Sequence, residues 1–330
     1  MKLTVATPAT TGLRGFTAMV MLVPDRFDYA AVRSDGFDLA FVDESGLPLP
    51  WERDEWVHGG WSVLWVKIDV ASSPNVTAFT MYYGDPLSGD GSSSNDAWRE
   101  EVAGVWHLRG LEDSSRTNAH CMEAASSSTT PTPGQVGSAR QFSFQALRCG
   151  SPVGLDGIFN AGGTAMAWIR PNSFGEAGTG RILVKSTALT GWDFYVADGL
   201  GSGADERISF AYGQANGYSR WDTSASSITL GEWQHVAVVF NAGSMAAAPQ
   251  LYINGELVPS FPGITGSGSW LGDEEDDIFI GDNDALQRAF DGAIDEVRMV
   301  RAALDADWLA AEHRSMTDTL LSWGPVEDRP

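Results

Sequence analysis

The chain has 330 residues, 43% of them hydrophobic and 19% charged, with 37 Gly and a formal net charge of −22. This is a turn-rich globular composition rather than a disordered one, and the length argues softly for two domains. Its 43 acids against 21 bases, with no basic run, argue against a nucleic-acid partner and against anionic membrane surfaces, and no segment approaches the roughly 20 apolar residues of a membrane span.

The opening MKLTVATPATTGLRG has one Lys but no apolar h-region behind it, so it does not read as a secretory signal. Two expectations follow: a removed signal, or exit from the cell by another route, such as inside a virion. Residues 1–98 then read as short strands. FTAMVMLVP (16–24) is apolar, FDLAFVD (37–43) and SVLWVKIDV (62–70) alternate, and VTAFTMYYG (76–84) is β-branched and aromatic. With Gly, Pro, Asp and Ser between them, they predict a small all-β sandwich. LSGDGSSSNDAW (87–98) is a boundary or a long loop.

Residues 99–325 give strand after strand, from VAGVWHL (102–108) through GWDFYVA (191–197) and EWQHVAVVF (232–240) to GAIDEVRMV (292–300). The tract at 123–135 reads as a surface loop, and DADWLAAEHRS (305–315) as one short helix with Asp305 as candidate N-cap. The tail is 326–330. The expectation is all-β: two tandem β-sandwiches, the second closed by a short C-terminal helix. Cys121 and Cys149 form no C-x-x-C pair, so they are either a disulfide between neighbouring strands or two buried thiols.

Two blocks carry a resemblance. EWQHVAVVFNAGSMAAAPQLYINGELV (232–258) and DDIFIGDNDALQRAFDGAIDEVRMVRAAL (276–304) resemble the LamG-like jelly-roll family of the concanavalin A-like lectin/glucanase superfamily, at Trp233, His235, Tyr252, Asn254, Gly255, Gly281, Phe290, Gly292, Asp295 and Glu296. GTAMAWIRP (163–171) and VWHL (105–108) with EDSS (112–115) extend the likeness to about 101–320. The first half, at 35–56, 64–70 and 81–86, resembles a bacterial domain family of unknown function that commonly precedes such a module. The residues agree: NG in YINGEL signals a tight hairpin, and Trp168, Trp233 and Phe240 are fillers for a core between two sheets.

Asp295 and Glu296 stand side by side among apolar residues. Neighbours in a regular strand point to opposite faces, so they should not act together on one substrate. The resemblance also brings to mind E-x-D-x-x-E, the catalytic strand of glucanase members, which would place carboxylates on one side of a cleft. Glu52 and Asp54 are followed by Val57, Glu274 and Asp276 by Phe279, and Glu275 and Asp277 by Ile280, so the pattern is missing. The resemblance implies instead a structural calcium ion with Asp295 as a ligand and Asp113 as a second contributor. The alternative is that both carboxylates bond backbone amides or Arg298, with no metal. GDEEDD (272–277) lacks the EF-hand pattern and reads as a solvated acidic loop. GLGSG (199–203) lacks a strand–helix context and reads as a flexible loop.

Aromatic rings suit stacking on sugars. Among the 13 Trp and 7 Tyr, those beside Gly and polar residues are the candidates for exposure: Trp192, Tyr212, Tyr218, Trp221 and Trp270, with Arg220 next to Trp221 in GYSRWD (217–222). The expected function is non-enzymatic binding or adhesion to a surface polysaccharide or glycan, outside the cell or on a virion. A phage or phage-like spike, fibre or decoration protein, with other proteins of the same particle as partners, is the expected setting. A purely structural assembly component is the alternative, and a glycoside hydrolase the weaker one.

Overall fold

A computed structural model describes residues 1–6, 10–124, 128–187, 190–199, 206–241 and 248–327. Parts of the 123–135 tract, of GLGSG and of the 326–330 tail lie outside the described residues. The chain divides into two compact units, Met1–Glu100 with Asp307–Pro330, and Glu101–Ala306.

The first unit has two antiparallel sheets. One orders Leu321–Trp323, Lys2–Val5, Ala78–Tyr82 and Ala40–Asp43; the other orders Leu13–Leu22, Ser62–Val70 and Trp51–Glu55. Phe41 of the first sheet meets Trp51 of the second at 5.5 Å between ring centroids, and Phe79 lies beside it at 6.2 Å. The strand expected at 62–70 forms over those residues, and Ser62–Val66 is buried on both faces. The strands at Lys2–Val5 and Trp51–Glu55 were not legible: WERDE is too charged to suggest a strand.

The C-terminal segment belongs to this unit, whereas the sequence reading ran the second sandwich on to 325. The predicted helix forms as Ala306–Met316, and Leu321–Trp323 adds an antiparallel edge to Lys2–Val5. The physical reason is burial: Trp308 packs edge-on against Phe16 at 5.5 Å and the Met19 N–H donates to Ser315 Oγ at 2.7 Å. An exposed bond from the Thr11 N–H to Asp307 Oδ2 at 2.8 Å adds to it.

The second unit is a sandwich of two antiparallel sheets, each with eight strands among the described residues. The first has Gly163–Pro171 between Gln234–Phe240 and Asp291–Val300, which also pairs with Ser138–Ser143 and Val102–Trp106. The second runs Ser260–Ile264, Arg207–Thr223, Trp192–Ala197, Arg181–Lys185, Ile278–Ile280, Leu147–Gly150 and Met122–Glu123, with Ser267–Trp270 also on Arg207–Thr223. Ala165, Ala167, Ile169, Val236, Val238 and Phe240 from the first sheet face Ile182, Trp192, Phe194, Phe210 and Ile280 from the second in one core. Cys121 and Cys149 are disulfide-bonded, which settles the alternative left open by the sequence. Of the expected core fillers only Phe240 joins this core. Trp168 is buried on the other face of its strand, 5.5 Å from His235, and Trp233 is half-buried beneath the Arg170 guanidinium.

Arg207–Thr223 is not one straight strand. Ser209 Oγ donates to Asp222 Oδ1 at 2.6 Å and Ser219 Oγ to Gln214 Oε1 at 2.6 Å, and the Ile208 N–H reaches Thr223 Oγ1 at 3.0 Å. Fifteen extended residues would put Ile208 about 50 Å from Thr223. The segment therefore folds back as a hairpin at Asn216–Gly217, where Gly217 takes φ +94°. GYSRWD, expected between strands, is its returning arm.

Removing the Trp308 ring should leave a cavity against Phe16. Trp308→Ala is expected to cost the first unit about 3–5 kcal/mol, read as a shift of its urea-unfolding midpoint; an unchanged midpoint would place the helix outside the cooperative unit.

Candidate functional site

Asp295 and Glu296 do share a face. Ile294, Val297 and Met299 point into the core. Strict alternation would then send Glu296 inward too, but Glu296 takes φ +49° and the register with Gly163–Pro171 slips there. The extra residue is a β-bulge, which turns both carboxylates away from the core.

Glu296 is engaged on both oxygens and Asp295 on Oδ2. Asp295 Oδ2 accepts the Val136 N–H at 2.9 Å, at the turn closed by the Gly134 N–H on the Gly137 carbonyl. Glu296 Oε1 lies 2.8 Å from His107 Nδ1, and its Oε2 accepts from Arg298 Nη2 at 2.9 Å. Burial alone would raise the Glu296 pKa, but His107 and Arg298 outweigh it and hold the carboxyl below its ordinary range.

Asp113 is equally occupied. Oδ1 accepts the N–H groups of Val105 and Ser115 at 2.9 and 2.8 Å, and Oδ2 accepts the Ala119 N–H and the Ser115 hydroxyl, both at 2.8 Å. Burial raises its pKa against those bonds. A calcium ligand must turn oxygen lone pairs toward the ion, and an oxygen already ringed by N–H donors does not. Asp113 therefore does not fit the role that the resemblance implies.

The acidic loop 272–277 is not simply solvated. Lys185, fully buried, donates its ammonium to the Asp276 carbonyl at 2.8 Å, to Ser151 Oγ at 3.2 Å and to the Asp273 carbonyl, and lies 3.0 Å from Asp156 Oδ1. This one side chain supplies the cation for converging oxygens. Asp273 is buried beside it, its Oδ1 taking the Gly157 N–H at 2.7 Å and its Oδ2 the Trp192 indole N–H at 2.9 Å. Burial raises the Asp273 pKa most, against those donors and Lys185.

That anchoring shapes a groove of about 290 Å³ on the outer face of the second sheet. Thr190, held to Asp276 Oδ2 at 2.8 Å, and Gly191 form part of its wall. In Trp192–Ala197, Trp192 and Phe194 point to the core, so Asp193 and Tyr195 point outward. Arg181 donates to Asp193 Oδ2 from Nε at 3.0 Å and lies 4.0 Å above the Tyr195 ring. Ser186 Oγ donates to Asp193 Oδ1. Burial pushes the Tyr195 phenol up to about 12, with Arg181 and Arg220 opposing, so it is a neutral donor near neutral pH. Among the described residues its hydroxyl makes no hydrogen bond. Arg220 bonds Asp222 at 3.0 Å, and Tyr218, 38% exposed, and Arg288 complete the rim.

The residues expected to bind therefore scatter. Tyr218 and Arg220 line the groove. Trp192 and Tyr212 reach it, but both side chains are buried in the core. Trp221 lines a second depression of about 340 Å³ with Tyr212 and Gln214, and half-buried Trp270 packs on Tyr212 at 5.3 Å. Sequence reasoning missed Arg181, Asp193, Tyr195 and Arg288. In GWDFYVA the signal was present: polar Asp193 sets the phase, which turns Tyr195 out and Trp192 in.

Residues 152–310 match the family model described as the concanavalin A-like lectin/glucanases superfamily. No curated protein matches the chain. Among solved structures, it is similar to the receptor-binding domain of botulinum neurotoxin mosaic serotype C/D (TM-score 0.50, 14% identity, covering 65% of this chain and 51% of that one). It is also similar to the binding domain of botulinum neurotoxin DC, solved in complex with rat synaptotagmin II (TM-score 0.50, 14% identity, covering 66% and 52%). A third likeness is to domain 4 of AbnA, an extracellular arabinanase of Geobacillus stearothermophilus, in complex with arabinotriose (TM-score 0.42, 17% identity, covering 67% and 98%). The chain spans about half the length of the toxin domains. No helix among the described residues is long and apolar enough to cross a membrane.

Removing the Lys185 ammonium strands its oxygen partners. Lys185→Met is expected to cost about 3–5 kcal/mol in urea unfolding, and an unchanged midpoint would deny Lys185 this part. Glu296 has a folded pKa below its unfolded one, so the stability it adds is complete above the ordinary carboxylate range and is lost as pH falls through the folded value. Glu296→Gln should therefore show a smaller loss of stability on acidification than the parent; equal slopes of stability against pH below 5 would contradict this.

Proposed function

We propose that the concanavalin A-like domain carried by residues 152–310 binds a glycan in the groove on the outer face of its second sheet. The observation that carries the reading is the pairing of an exposed ring, Tyr218, with a fixed set of polar groups: the Arg181–Asp193 pair, the Arg220–Asp222 pair and the Tyr195 hydroxyl. A sugar presents an apolar C–H face and a rim of hydroxyls. A concave site with an aromatic wall and a few oriented polar groups suits both surfaces.

Two features favour binding over hydrolysis. Hydrolysis by the usual route needs two carboxyl groups across the scissile bond. Asp193 is the one carboxylate among the described lining residues, and Arg181 and Ser186 hold it. The toxin domains share the fold alone at 14% identity, so the reading stands on the groove rather than on what those domains bind. A polysaccharide on a host or cell surface is the natural target for such a module, which makes it an adhesion domain.

The test is isothermal titration of the full chain with neutral and acidic oligosaccharides. Tyr218→Ala should weaken binding roughly tenfold and Tyr195→Phe about three- to tenfold, with thermal unfolding unchanged for Tyr218→Ala. Affinities untouched by both substitutions would remove the groove from the binding reaction.

A further inference from the structure

We infer that the ligand of this groove carries an oxyanion, as a carboxylated or sulfated glycan, and that Arg288 is the residue that meets it; the inference rests on the carbohydrate reading of the same site. The chain has 43 acids and 21 bases, yet the groove inverts that balance, with Arg181, Arg220 and Arg288 in its lining against Asp193 alone.

The arginines are not equivalent. Arg181 is committed to Asp193, at 3.0 Å from Nε and 2.9 Å from Nη2. Arg220 is committed to Asp222, at 3.0 Å from both Nε and Nη2. The Arg288 guanidinium meets only a backbone carbonyl, that of Gln287 at 3.2 Å, and has no carboxylate partner among the described residues. The main chain of Arg288 is held at both ends. The Arg288 N–H donates to Asp282 Oδ1 at 2.7 Å, and the Arg288 carbonyl accepts the Arg181 N–H at 2.9 Å. Two like charges thus start from adjacent backbone positions beside one concavity. Asp282 is buried, and its Oδ1 takes the Asn283 N–H at 2.7 Å as well, so it meets Arg288 through the backbone amide rather than the guanidinium.

A guanidinium offers parallel N–H donors that match a carboxylate or sulfate edge, and such charge-assisted bonds are stronger than those between neutral groups. The acidic remainder of the chain repels a polyanion, so the groove is where an anionic sugar is tolerated.

The experiment titrates the full chain with three probe sets: alginate and hyaluronan oligosaccharides for carboxylates, heparin-derived oligosaccharides for sulfates, and malto- and cello-oligosaccharides as neutral controls. Arg288→Gln is compared with Arg301→Gln, which removes the same charge from an exposed arginine outside the groove lining. The expected result is preference for at least one acidic set, lost roughly tenfold in Arg288→Gln and kept in Arg301→Gln; the set that responds identifies the anion. Neutral sugars bound as tightly as acidic ones, with Arg288→Gln silent, would overturn the inference while leaving the glycan groove standing. Equal losses in both variants would overturn it as a net-charge effect. No binding to any set would overturn it together with the carbohydrate reading.

Discussion

The buried ammonium of Lys185 is the interaction on which the candidate site depends. It gathers oxygens from Ser151, Asp156, Asp273 and Asp276, from segments far apart in the chain. Those acids pass the constraint on: Asp276 holds Thr190 and Asp273 holds the Trp192 indole. Thr190 stands in the groove wall, and Trp192 fixes the phase of the strand that presents Asp193 and Tyr195. One internal cation thus organises an acidic loop and positions a binding face.

The same logic recurs across the unit. Its buried carboxylates are committed before any ligand arrives: Asp113 to backbone donors, Asp295 to the Val136 amide, Glu296 to His107 and Arg298. In a chain of net charge −22, unpaired buried acids would be costly, and each has been given donors. The groove departs from this economy. Its arginines exceed its carboxylates, and Arg288 is left for a ligand.

Much of the fold could be read from period-two alternation, because the core fixes which face each strand buries. SVLWVKIDV forms the strand expected of it, and the blocks at 232–258 and 276–304 pointed to the family that the match at 152–310 supports. What could not be read was non-local. Leu321–Trp323 becomes a strand only because Lys2–Val5 offers it an edge. The bulge at Glu296 is a matter of register against a strand more than 100 residues earlier in sequence, so alternation placed Asp295 and Glu296 on opposite faces. In the site, Tyr218 and Arg220 were found from their polar surroundings. Trp192 was chosen by the same rule, for its neighbour Gly191, whereas the phase set by Asp193 turns it inward and Tyr195 outward. Lys185, one of two basic residues in RILVKS, gave no sign that it was a core cation.

The central claim is that the outer face of the second sheet, around Tyr195, Tyr218 and Arg288, is the binding surface. Hydrogen–deuterium exchange of the full chain, with and without a saturating oligosaccharide from the set that binds, tests it most directly. The account predicts slowed exchange in 181–187, 190–197, 209–220 and 286–290, with no change in 234–240 or 250–258 on the opposite sheet. Protection confined to the opposite sheet, or to the first unit, would contradict it.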